Sequence, residues 1–156
     1  MAVGSCSSIS IGMETITVNF ELDSSNYAAK LGFLVMYNNN VIVDIDHVDN
    51  KRTIGFDLEL EDGDHELQFI LKNKIIDDTT IDEVGNIITD ACLTIDSFEI
   101  DKVALGYNFI KHCVYHHNFN GNQDKIDEPF YGTMGCNGTV IFKFSLPFYI
   151  WLLENF

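Results

Sequence analysis

A chain of 156 residues with 24 acidic against nine basic side chains, net −15 at neutral pH, has the length of one domain and a strongly acidic surface. That charge argues against nucleic acid and anionic membranes as partners, since phosphate is bound by basic surfaces that release counterions. The 46% apolar content and twelve phenylalanines exclude a disordered acidic tail, and at this size roughly 69% of the unfolded surface is buried on folding.

Residues 1–12 read as an N-terminal arm with no basic region and no long apolar run, so no cleaved secretory signal is expected. No apolar stretch is long enough for a membrane span. Residues 13–156 read as a single domain. Period-2 alternation starts at Glu14–Leu22, where Ile16, Val18, Phe20 and Leu22 share one face. Ser24–Leu31 reads as a loop or a single helical turn. Strands at Gly32–Tyr37 and Val41–Asp46 flank Asn38-Asn39-Asn40, a turn because asparagine tolerates the left-handed conformation. Thr53–Leu60 and Glu66–Leu71 alternate on either side of Glu61-Asp62-Gly63-Asp64, which predicts a β-hairpin. Further strands are expected at Thr89–Ile95, Phe98–Asp101, Lys102–Tyr107 and Thr139–Leu146. A slip of phase between Ile95 and Phe98 predicts a bulge near Ser97. Pro129 and Pro147 fall outside the strand cores. Many short strands with almost no helical periodicity predict an all-β fold, an antiparallel β-sandwich of jelly-roll type. Two long irregular stretches, Lys74–Asn86 and His117–Asn137, are the first places to look for a site.

The chemistry-bearing groups are few. Asp77, Asp78 and Asp82 crowd the first long stretch and are candidate calcium ligands, since calcium takes six to eight oxygen donors. Solvated loop tips explain the same residues. No other cofactor is expected. His112-Cys113-Val114-Tyr115-His116-His117 has no closed zinc spacing, and its side chains alternate between two faces of a strand. Cys6, Cys92, Cys113 and Cys136 are scattered and read as reduced thiols, mostly buried. There is no Gly-x-Ser-x-Gly elbow, and Gly132, Gly135 and Gly138 fit turns better than a phosphate loop, so no enzyme is expected.

Aromatic residues gather late in the chain, with ten Phe, Tyr or Trp from position 115 onward. Tyr115, His117, Phe119 and Tyr131 are candidates for stacking on sugar rings; core packing is the competing explanation. The apolar segment 147–156, with Phe148, Tyr149, Trp151, Leu152 and Phe156, reads as a contact surface for assembly.

Gly63–Lys74 followed by Ile95–Asp101 resembles the strand pair of jelly-roll modules similar to calcium-dependent xylan-binding domains. Ile81–Ile95, His117–Gly121, Phe130–Val140 and Pro147–Phe156 resemble structural proteins of contractile-tailed phages of marine cyanobacteria. The resemblance covers residues 63–156. It implies a small virion protein of carbohydrate-binding-module type, made in the host cytoplasm and assembled with other virion proteins on capsid or tail. A glycan-binding adhesin, with or without calcium, is the alternative it leaves open.

Overall fold

The computed structural model describes residues 12–121 and 123–156. The expected arm at residues 1–12 and the thiol of Cys6 lie outside the described residues, Gly12 apart. In chain order the strands are β1 (Met13–Ser24), β2 (Gly32–Tyr37), β3 (Asn40–Ile45), β4 (Arg52–Glu61), β5 (Gly63–Lys72), β6 (Thr79–Ile81) and β7 (Ile87–Asp90). There follow β8 (Leu93–Ile100), β9 (Val103–Ala104), β10 (Cys113–His117), β11 (Ile126–Pro129), β12 (Thr133–Met134) and β13 (Gly138–Leu146). Among the described residues two α-helices, α1 (Tyr107–Lys111) and α2 (Phe148–Asn155), follow β9 and β13, and short 3-10 helices lie at Ile76–Asp78 and Phe119–Gly121.

The strands form two antiparallel sheets that face each other across one core, the expected β-sandwich. The first sheet runs β12-β8-β1-β4, with β9 added to β8; the second runs β11-β10-β13-β5-β2-β3. β6 and β7 pair only with each other. Alternation decides which side chains enter the core: Ile16, Val18, Phe20 and Leu22 from β1, Leu67, Phe69 and Leu71 from β5, and Val140, Phe142, Phe144 and Leu146 from β13 are all buried. Phe20, Phe69, Phe98, Phe109 and Phe142 pack ring against ring at the centre, with Phe98 and Phe109 stacked at 3.9 Å between centroids.

Two local expectations match in detail. Asn38 and Asn39 take φ of 53° and 66° in the β2–β3 turn, where Tyr37 pairs with Asn40. β8 bulges at Ser97, whose φ is 53°: Asn19 pairs with Glu99 while Glu21 pairs with Asp96, so two residues of β8 face one of β1. β8 therefore joins two expected strands, while Thr89 and Asp90 belong to β7.

Two others are corrected. Asp62-Gly63 makes a tight turn, but β4 and β5 are not a hairpin: β4 pairs with β1, and β5 pairs with β13 and β2. Gly63 has a φ of 127°, beyond the roughly +60° to +90° of a type I′ turn, and its chain crosses from one sheet to the other. Lys102–Tyr107 is not a strand either. Only Val103–Ala104 pairs with β8; Gly106, at φ 53°, then turns the chain into α1, which delivers Phe109 to the core.

Candidate functional site

The C-terminal segment leaves β13 through Pro147 and forms α2, in which residues 148–153 are all apolar. A helix with no polar face buries one side and presents the other. Phe148 and Trp151 are buried. Trp151 meets the Phe142 ring at 6.1 Å and the His112 ring at 5.0 Å, and stacks with Phe148 at 5.9 Å. Asn155 ties the helix end down: its Nδ2 donates to the Trp151 carbonyl at 2.8 Å, and its Oδ1 lies 3.0 Å from His112 Nε2. At the other end the Phe148 amide donates to Glu14 at 3.2 Å. Phe148 and Trp151, expected at an interface, are thus core residues, because the sandwich end needs a lid. Leu152 is half-buried against the core. Tyr149 and Phe156 do face outward, and with Leu153 they form a stripe at i, i+4 and i+7, Leu153 being 79% exposed.

At the opposite end of the second sheet lies the β6–β7 hairpin, since β13 and β5 pair from Gly138↔Leu71 to Leu146↔Gly63 and the hairpin follows Lys72. It projects as an arm, gripped at its base by Lys74, whose side chain is 1% exposed. Lys74 Nζ donates to Asp90 Oδ1 and to the Gly135 carbonyl, both at 2.5 Å, and Thr79 Oγ1 donates to the same carboxylate oxygen at 2.6 Å. Asn137 pairs with both backbone groups of Lys74 at 2.9 Å. Burial pushes the Asp90 carboxyl upward, but the hydrogen bonds from Lys74 and Thr79 and the ammonium charge outweigh it, so Asp90 lies below its ordinary value.

The candidate calcium residues lie on this arm and do not converge. Asp82 caps the tip, accepting from the amides of Val84 and Asn86 at 3.0 and 2.8 Å and from Asn86 Nδ2 at 3.1 Å. Those bonds, the Asn86 amide foremost, hold its carboxyl below the usual range. Asp78 accepts from the Ile75 amide at 2.9 Å, and Asp77 is exposed. Among the described residues no three His, Cys, Asp or Glu side chains are grouped to hold a metal ion. The two bonded carboxylates shape the arm.

Of the sugar-stacking candidates, Tyr115 and His117 are buried and Phe119 is half-buried. Tyr115 hydrogen-bonds both backbone groups of Cys136, and burial raises its hydroxyl pKa. His117 Nε2 donates to Glu128 at 2.6 Å while its Nδ1 accepts from the Phe119 amide at 3.2 Å. The three rings pack in series, tilted at 4.6 Å from Tyr115 to His117 and edge-on at 4.7 Å from His117 to Phe119. Tyr115 and His117 thus lie within the fold, while Phe119 keeps part of its ring open to solvent. Tyr131 alone is exposed, on the rim of a groove of about 510 Å³. Tyr107 stands on the same groove, so two phenols, 77% and 72% exposed, border it with Lys111, Asp127 and Glu128. Tyr107 was hidden in the sequence by its placement at a strand end; Gly106 was the available signal for a break there.

A second depression, of about 760 Å³, lies beside α2 on the outer face of the second sheet. Its histidines are engaged: His65 Nε2 donates to the Glu61 carbonyl at 2.6 Å and its Nδ1 accepts from the Tyr37 hydroxyl at 2.7 Å. Both nitrogens of His112 likewise face oxygens, at 2.7 and 3.0 Å. Cys92, Cys113 and Cys136 are free thiols, and burial pushes Cys113 far upward. The chain matches no family model, no curated protein and no solved structure.

Proposed function

We propose that this chain is a structural protein of a virion, a decoration subunit of capsid or tail, docking through the outer stripe of α2. The observation that carries this reading is the apolar stripe Tyr149–Leu153–Phe156 on a helix locked from within by Trp151. Contiguous apolar surface on a folded domain marks an interface. Because the helix is already fixed, little further ordering is needed on docking. Covering each of the three side chains stabilises a complex by about 2 kcal/mol before the costs of association. The acidic body stays solvated and discourages unspecific contact.

The double variant Tyr149→Ser/Leu153→Ser changes stability by less than about 0.5 kcal/mol per site, since both side chains face water. Its incorporation into particles, measured by quantitative mass spectrometry of purified virions, falls to background. Normal occupancy of the variant contradicts the proposal.

A second reading is supported by the two exposed tyrosines of the 510 Å³ groove. Aromatic faces beside carboxylates and a lysine suit a glycan, so this groove is a candidate adhesin site. On a glycan array the wild type gives signals that Tyr107→Ala and Tyr131→Ala each abolish. A blank array, with and without calcium, removes this reading.

A further inference from the structure

Six aliphatic side chains on or beside the β6–β7 arm face water: Ile75, Ile76, Ile81, Val84, Ile87 and Ile88, each between 58% and 86% exposed. A hairpin of this length has little stability of its own, and its exposed aliphatics add nothing to the core. It is nevertheless fixed at base and tip, by the buried Lys74–Asp90 clamp and by the Asp82 cap. The Ala91 amide donates to the Asp78 carbonyl at 3.0 Å and closes the base from the other strand. β7 sends Ile87 and Ile88 to opposite faces, so neither face of the arm is purely polar. A rigid element that exposes aliphatic side chains on both faces is preorganised for burial in a groove.

The charge of the arm selects the partner. On the arm Asp77, Asp78, Asp82 and Glu83 are acidic, and its one basic side chain, Lys74, is buried at the base against Asp90, so the exposed charge of the arm is negative. A second copy of this chain brings the same acidic arm and a net charge of −15, so pairing arm against arm sets like charges together. We infer that the β6–β7 arm is a docking element, separate from α2, that inserts into an apolar groove rimmed by lysine and arginine on a different protein. Aliphatic contacts supply the affinity, and the flanking carboxylates supply attraction and orientation. The inference holds whether or not the α2 stripe docks.

The test titrates full-length protein into a fluorescent amphipathic peptide with a leucine stripe flanked by lysines, and into its leucine–glutamate counterpart. The leucine–lysine peptide is expected to bind, more weakly as salt rises, and the glutamate peptide is not. Ile76→Ser and Val84→Ser, at the two most exposed positions, each weaken binding about tenfold without altering net charge. Leu153→Ser leaves it unchanged, which separates this site from α2. Near-UV circular dichroism identical to wild type shows that the variants are folded. Absence of binding, or equal binding by wild type and both arm variants, overturns the inference. So does a concentration-dependent dimer in sedimentation that the arm variants abolish, because the occupant is then a second copy.

Discussion

Trp151→Ala lowers the stability of the domain by about 3–5 kcal/mol, the usual cost of removing a large buried aromatic side chain. Trp151 is 5% exposed and touches Phe142, His112 and Phe148, so its loss opens a cavity under the whole of α2. The helix is eight residues long, too short to persist without its tertiary contacts. Residues 148–155 therefore exchange amide hydrogens freely in the variant, and the melting temperature falls by about 10 °C for a domain of this size. Leu153→Ala, two residues along and 79% exposed, changes stability by less than about 0.5 kcal/mol. Urea denaturation of the two variants side by side checks the contrast. Equal, small effects mean that α2 is not packed as described.

Asp90→Ala costs about 3–5 kcal/mol, because removing one member of a buried ion pair strands the other. The two members are unequally placed. Lys74 is 1% exposed at its side chain, whereas Asp90 retains 28% exposure, so Asp90→Ala leaves an ammonium in the interior with the Gly135 carbonyl alone. Lys74→Met leaves a carboxylate that water reaches, and an alkyl chain that still packs; its cost is smaller, about 1–3 kcal/mol. The clamp also makes stability depend on pH. Asp90 has a lowered pKa in the folded protein, so its contribution is complete above the unfolded carboxylate value of about 3.9. It is lost as pH falls through the lower folded value. Between neutrality and strong acid, wild type therefore loses more stability than Asp90→Asn does. Parallel acid slopes for the two proteins mean that the pair carries no net stabilisation.

The parts of the fold legible in the sequence are those set by neighbours a few residues apart. The alternation of β1, the asparagine turn after Tyr37 and the bulge at Ser97 are of this kind, since each is a local pattern of burial or of φ. The pairing of β4 and β5 is not. Asp62-Gly63 specifies a tight turn, but which strand each partner meets depends on apolar faces far away in the chain, and these send β4 to β1 and β5 to β13.

The candidate site was legible in part for similar reasons. An apolar run such as residues 148–153 has no polar face to reveal its orientation, so Phe148 and Trp151 are indistinguishable in sequence from Tyr149 and Leu153. Tyr115 and His117 carry a period-2 signal in β10 that places them on one face with Cys113, and that face proves to be buried. The arm was obscured by its composition. Its aspartates and threonines suggest a hydrated loop, and only the pairing of Ile81 with Ile87 turns its scattered aliphatics into a surface.

The central claim is that the outer stripe of α2 is an interface. Imaging assembled particles at side-chain resolution tests it most directly. The account predicts Tyr149, Leu153 and Phe156 covered by a neighbouring protein while the acidic sheet faces remain in solvent. A particle in which that stripe stays exposed, or in which the chain has no place, contradicts it.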